Sequence, residues 1–220
     1  MSRPSVTLKI ATSMDGHIAL SNGVSQWITG SESRARVHRM RAEHDAVLVG
    51  VGTVLADDPL LTARTIPLPA KQPVRIVADS SLRTPPESRL VNSSGLGRVV
   101  LAAATDGARS SERYGDQAEV WNVSGHDGRV DPKRLIDRCA VEGINSVFLE
   151  GGGKLAASFV KAGLVNVIQW FRAPILIGGD GLPAIAALGL TEMANAPRWK
   201  SVSAERIGDD VLETYSVLTD

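Results

Sequence analysis

One cysteine, Cys139, stands in 220 residues. No disulfide can close within the chain, and a cysteine-rich zinc site is excluded. Neither charge sign is in excess, since 24 Lys and Arg offset 24 Asp and Glu. That argues against a nucleic-acid binder working by bulk charge, because phosphate neutralisation needs clustered cations. The four histidines (His17, His38, His44, His126) show no H-E-x-x-H spacing. No apolar run approaches the roughly 18 residues of a membrane span, and MSRPSVTLKIATSMDG lacks the apolar segment of a signal peptide. Repeats and low-complexity tracts are missing too. These absences set the expectation of a soluble, cytoplasmic protein with no metal, membrane or nucleic-acid partner.

What is present is enough apolar residue, 43%, for a full core. Val6, Leu8 and Ile10 alternate with Thr7, Lys9 and Ala11, a strand pattern. AVLVG (46–50), VRIVAD (74–79), RVVLAAAT (98–105), AEVWNV (118–123) and NSVFLE (145–150) are short apolar runs. Such runs suit parallel strands buried on both faces. Asp15-Gly16 and Ser21-Asn22-Gly23 mark turns. Thr29 and Glu32 have capping-box spacing, which predicts a helix over residues 30–43. Asp131-Pro132 reads as N-cap plus N1 proline, with Gly143 as the stop and Leu135, Ile136, Cys139 and Ala140 as the apolar stripe. Another helix runs from Gly153 to Gly163 with Leu155, Phe159 and Ala162 on one face. Residues 165–178 and 198–218 carry late strand patterns, the latter a hairpin around Gly208-Asp209. The order predicts one α/β domain over residues 1–220, with a mainly parallel mixed sheet flanked by helices and antiparallel C-terminal strands.

Several stretches carry chemistry, each with two readings. The three glycines 151–153 join a strand to a helix. They form either an anion cradle at a helix N-terminus or a plain tight turn. A Walker A motif fails, because Leu155 follows Lys154 and Phe148 takes the first glycine's place. A Rossmann fingerprint fails at Leu55. Glu150 ends an apolar strand, where open α/β sheets bind ligands; its alternatives are a helix cap or an internal salt bridge. Lys9 either snorkels from its strand or aims a charge into a cleft. In GTVLADDPLLTAR (52–64), Asp57-Asp58-Pro59 breaks a short helix, and no third ligand supports a metal there. Arg34, Arg36, Arg39 and Arg41 share a helix, either as a solvated face or with an arginine matched to phosphate.

LKIATSMDGHIAL, SQWIT, DAVLVGVGTVLADDPLLTAR and VFLEGGGKLAASF, in this order, resemble the reductase domain of bacterial bifunctional riboflavin-biosynthesis proteins. The resemblance runs from about residue 5 to the C-terminus. It implies a dihydrofolate-reductase-like fold, a homodimer, and NADPH reduction of 5-amino-6-(5-phosphoribosylamino)uracil at ribose C1′. By motif it implies Ser25, Arg41, Leu61, Arg64 and Glu150 as substrate contacts, with the two arginines on the phosphate. It implies Ala11, Trp27, Thr53, Asp57, Ser80 and the turn carrying Gly152, Gly153, Lys154 and Leu155 as NADPH contacts. Lys9, Asp57 and Glu150 would lie nearest the reacting carbon. Arg83, near Ser80, would serve as a charge partner for the cofactor's 2′-phosphate, while Asp79 is an acid of the kind that often selects NAD. The chain departs from the bifunctional pattern, since a fused deaminase needs H-x-E and P-C-x-x-C and one cysteine cannot supply it. His17 stands where family members often have Lys or Arg. A reductase of another pterin or pyrimidine, such as dihydrofolate, and a non-catalytic nucleotide-binding subunit are the alternatives.

Overall fold

Short aliphatic runs bounded by Gly, Pro or Asp become strands, because β-branched side chains pack well on a pleated, buried surface. A computed structural model describes residues 2–105 and 110–218. In chain order the elements are β1 (Ser5–Thr12), β2 (His17–Ala19), α1 (Ser31–Ala42), β3 (Ala46–Gly50), α2 (Val51–Asp57), β4 (Val74–Ala78), α3 (Arg89–Asn92), β5 (Val99–Ala103) and α4 (Ser110–Tyr114). Then follow β6 (Glu119–Asn122), α5 (Pro132–Val141), β7 (Ser146–Leu149), α6 (Gly153–Lys161), β8 (Val167–Arg172), β9 (Leu182–Pro183), β10 (Trp199–Ile207) and β11 (Asp210–Val217). The chain divides into two compact units, Met1–Ser5 with His38–Phe148 and Val6–Val37 with Leu149–Asp220.

In the first unit the strand order is β7-β3-β4-β5-β6, and β3 to β6 run parallel. Residues 46–49 and 99–103 are buried throughout, as strands covered on both faces must be. α5 opens as its sequence predicts. Asp131 Oδ1 accepts from the N–H groups of Lys133 (2.8 Å) and Arg134 (3.2 Å), a cap worth about 1 kcal/mol. Gly143 closes the helix at φ 73°, and Leu135, Ile136 and Cys139 face the core. Burial pushes the Cys139 thiol up to about 12, so it stays a packed, inert thiol.

In the second unit the order is β10-β11-β8-β1. β1 lies parallel to β8, and β11 lies antiparallel to both β8 and β10. The hairpin turns at Gly208, φ 61°. β8 ends at Arg172, so the strand expected over 165–178 is shorter than its apolar pattern. The α6 face also differs: Ala156, Ala157 and Phe159 are buried, whereas Ala162 is exposed. α1 covers the expected span, but no Thr29–Glu32 capping box forms. The Gly30 N–H donates to Asp210 Oδ2 at 2.8 Å, and the Ser33 hydroxyl donates to the same oxygen at 2.5 Å. Glu32 turns to Gly208 instead, where its carboxylate fills the space a Cβ would need. A carboxylate only 3% exposed, set at a helix N-terminus, displaces the local cap.

Candidate active site

The first unit gathers Arg41, Leu61 and Arg64 around one irregular segment. α2 stops at Asp58, which adopts φ 40°, and Leu61 follows at φ 58°. A left-handed leucine is costly for a side chain with a Cβ. Strain of this kind collects at binding segments. Leu61, 2% exposed, anchors the segment in the core, while Arg64 stands at the surface. Arg41, on α1, donates to the Thr62 carbonyl at 3.1 Å. Arg64 lies against His38: its N–H is 3.3 Å from Nδ1 and its Nη2 is 3.0 Å from Nε2. A neutral imidazole has one acceptor nitrogen, so only one of these contacts is a hydrogen bond at a time. Burial, and then the like charges of Arg41 and Arg89, push the Arg64 guanidinium below its ordinary value. The like charges of Arg41 and Arg89 close to Arg64 concentrate positive charge at this segment, a setting that suits a multiply charged anion.

Thr53 and Asp57 lie one turn apart on α2 and share a face. Desolvation raises the Asp57 carboxyl above the usual carboxylate range, although its side chain still reaches solvent. Such a carboxyl holds a proton more readily than an ordinary surface acid. Ser80 lines an open cavity of about 570 Å³ at the carboxyl ends of β3 and β4, with Ser81, Arg83, Gly128 and Arg129. Asp127 also borders it, with Oδ1 accepting from the Arg129 N–H at 3.1 Å. Asp79, one residue before Ser80, faces away from this work. It is 0% exposed and accepts from the N–H groups of Arg83 and Thr84 and from the Thr84 hydroxyl.

The second unit carries the rest. Lys9 and Ala11 point the same way from β1, where they pair with Gln169 and Phe171 of β8. The Lys9 ammonium lies 6.0 Å from the Phe171 ring centroid. Ser25 and Trp27 share the loop before α1. Trp27 is 70% exposed, and the Arg34 guanidinium sits 4.5 Å over its ring. Glu150 follows β7 and is half-buried, next to the glycine turn and outside it. The three glycines divide their work. A Cβ at Gly153 would meet the Pro183 carbonyl at 2.5 Å, and one at Gly151 would meet Leu155, so both glycines answer to packing. At Gly152, the N-cap of α6, nothing stands within 4 Å. Lys154 is exposed and Leu155 half-buried. His17 sits in β2 with Nδ1 3.5 Å from Asp15. The Ser13 hydroxyl and the Gly178 N–H hold the Asp15 carboxyl well below its usual range. Among the described residues no three or more His, Cys, Asp or Glu gather to hold a metal ion, and no helix is long and apolar enough to cross a membrane.

Sequence reasoning passed over His38, Gln72, Arg75, Arg89 and Arg129. Two of these had a signal. His38 lies three residues before Arg41 on one helix, and Arg75 is a charge inside an apolar strand. Gln72 and Arg129 sit in connections whose geometry no local pattern encodes.

Residues 4–212 match the family model described as the RibD C-terminal domain. The chain is 40% identical over 220 residues to the riboflavin biosynthesis protein RibD of Actinobacillus pleuropneumoniae, covering 99% of this chain and 58% of that protein. The chain thus spans little more than half the length of such relatives. It is 38% identical over 217 residues to the 2,5-diamino-6-ribosylamino-4(3H)-pyrimidinone 5′-phosphate reductase of Methanothermobacter thermautotrophicus, covering 98% of this chain and 99% of that protein. A solved deaminase/5-amino-6-(5-phosphoribosylamino)uracil reductase from Thermotoga maritima is similar at a TM-score of 0.83 and 30% identity, covering 98% of this chain and 57% of that one.

Proposed function

Because the chain belongs to the RibD C-terminal domain family, we propose that it is an NADPH-dependent reductase of riboflavin biosynthesis, acting on 5-amino-6-(5-phosphoribosylamino)uracil. Hydride reaches ribose C1′ of the ring-opened imine and leaves a ribitylamine. One observation carries the reading: the strained Leu61 segment presents Arg64 beside Arg41, an anion site suited to a sugar phosphate. Dihydrofolate offers no such phosphate.

The residues fit a nicotinamide cofactor. Gly152 leaves room for close approach to the backbone, and the Ser80 cavity offers hydroxyls with Arg83 and Arg129 for a phosphate. Bound NADPH would supply the hydride. The protein's part is positioning and charge. Arg41 and Arg64 hold the substrate phosphate, with Leu61 fixing the segment. Ser25 and Glu150 orient the ribose hydroxyls. Glu150 also places negative charge where an imine gains positive character. Asp57, whose carboxyl desolvation raises above its ordinary value, and Lys9 add polar groups beside the reacting carbon. Ala11, Trp27, Thr53, Lys154 and Leu155 complete the cofactor's surroundings. One reductase domain over residues 1–220 and a homodimer belong to the same proposal.

A second substrate has its own support. The relative matched over nearly its full length is named for the 2,5-diamino pyrimidinone phosphate, which differs at one ring position. The test is NADPH oxidation by the purified chain with each pyrimidine phosphate and with dihydrofolate. Turnover of a pyrimidine phosphate and none of dihydrofolate is the expected result. Preference for dihydrofolate, or binding of NADPH without turnover of any of the three, would overturn the reading.

A further inference from the structure

Residues 58–64 lie outside regular secondary structure, yet Leu61, Thr62 and Ala63 are buried. Buried backbone groups must be paired. Here side chains do the pairing. Arg75 Nη1 donates to the Leu60 carbonyl at 3.3 Å, and Arg41 takes the Thr62 carbonyl. Gln72 grips Ala63 twice: its Oε1 accepts the Ala63 N–H at 2.8 Å and its Nε2 donates to the Ala63 carbonyl at 2.9 Å. That is the pairing a neighbouring strand would give, supplied by one amide. Upstream, Asp58 Oδ1 accepts the Arg89 N–H at 2.8 Å.

Arg75 is the unusual member. It is 0% exposed in β4, and its hydrogen-bond partners are oxygens of uncharged groups: the carbonyls of Leu60, Ser93 and Gly97 and the Ser93 hydroxyl. Its Nε has no partner among the described atoms. A buried guanidinium without a carboxylate is expensive, and an apolar side chain of similar volume would fill the space more cheaply. What an apolar side chain lacks is a rigid fork that ties Leu60 to the segment after α3.

We propose that Arg75 and Gln72 are positioning residues for the anion-binding segment, holding Leu61 and Arg64 in the geometry that recognises the substrate phosphate. Neither is assigned a contact with substrate. The proposal rests on the pyrimidine phosphate reading above and deepens it. With the carbonyl of Leu60 and both backbone groups of Ala63 pinned, the left-handed Leu61 between them has no slack to relax. Arg64 follows Ala63 directly and inherits that rigidity. Preorganisation of this kind shows in binding of the group it serves rather than in chemistry at a distant carbon.

The experiment compares Arg75→Met, Arg75→Lys, Gln72→Leu and Arg64→Ala in steady-state kinetics, with the phosphorylated pyrimidine and with its dephosphorylated analogue. Gln72→Leu and Arg75→Met are expected to raise KM for the phosphorylated substrate about tenfold. Their kcat, their KM for NADPH and their KM for the dephosphorylated analogue should stay within about twofold of the parent. Arg75→Lys, which keeps charge but loses the fork, should fall between. Gln72→Leu carries the test alone if Arg75→Met does not fold. Equal KM changes for both substrates, or a parent-like KM in Gln72→Leu, would overturn the positioning role. If Arg64→Ala is itself silent toward the phosphate, the phosphate reading fails and the positioning role fails with it. A raised KM in Arg64→Ala beside silent Gln72 and Arg75 variants removes the positioning role only.

Discussion

The Asp79 carboxylate is spent on Thr84: Oδ2 accepts the Thr84 N–H at 2.7 Å and the Thr84 hydroxyl at 2.7 Å. Oδ1 accepts the Arg83 N–H at 2.9 Å. An acid after a strand in this position could select NAD by binding a ribose hydroxyl. Asp79 closes its own loop instead, leaving Ser80, Ser81, Arg83 and Arg129 on the cavity. The chain should therefore bind NADPH more tightly than NADH, measured by fluorescence titration. Arg129→Ala should narrow the gap, and equal parent affinities would remove the phosphate role from this cavity.

Arg64→Ala should raise KM for the phosphorylated substrate far more than for its dephosphorylated analogue. A hydrogen bond to a charged group is worth roughly 1.5–3 kcal/mol, which is about ten- to a hundredfold in KM. Equal losses on both substrates would make Arg64 a structural partner of His38 alone.

Glu150→Gln should fold and bind NADPH nearly as the parent does, yet lose at least roughly tenfold in kcat/KM, about 1.4 kcal/mol of barrier. The amide keeps the volume and removes the charge. A sharp fall in melting temperature would make Glu150 part of a structural ion pair, and unchanged kinetics would take it out of the site.

Asp210→Ala should cost about 1–2 kcal/mol of stability, because it strips the cap from α1 and leaves the Ser33 hydroxyl buried without its acceptor. In a chain of this size that lowers Tm by roughly 2–4 °C per kcal/mol. Asp210→Asn should lose less, since it retains one acceptor oxygen. Identical melting of parent and Asp210→Ala would show that the contact contributes nothing net.

The Arg98 network predicts a pH effect. Arg98 binds Glu119 at 2.5 Å and Glu142 at 2.7 Å, and Arg138 binds Glu142 at 2.7 Å. Hydrogen bonds from Arg98 are the first cause of the lowered values of both carboxyls. Groups lowered on folding stabilise the native state above their unfolded value, here 4.5, and lose that contribution as pH falls through the folded value. Melting followed from pH 7 downward should fall less steeply below about 4.5 in Arg98→Met than in the parent. The network is largely exposed, so the difference should stay under about 1 kcal/mol. Parallel acid limbs would contradict it.

Local patterns were enough wherever the deciding force was local. The apolar runs at 46–50, 74–79 and 98–105, the Asp131-Pro132 start, the Gly143 stop and the Gly208 hairpin all follow from side-chain period, capping and turn chemistry. Leu61, Arg64, Glu150 and Gly152 stand out as candidate contacts because each lies in a contiguous stretch, and Arg41 because it shares a helix with Arg34, Arg36 and Arg39. Tertiary structure alone decided the rest. Thr29 and Glu32 have ideal spacing for a cap, but Asp210, 180 residues from Gly30, brings its carboxylate to the Gly30 N–H and the Ser33 hydroxyl at the same helix start and caps it instead. Gly153 looks like a ligand glycine until the Pro183 carbonyl is found where its Cβ would be. Gln72 and Arg75 hold Ala63 and Leu60 from neighbouring segments, a pairing that exists only once the backbone of residues 60–64 is buried and needs partners. Burial creates that demand, and which side chain meets it depends on distances in space that no spacing along the chain encodes.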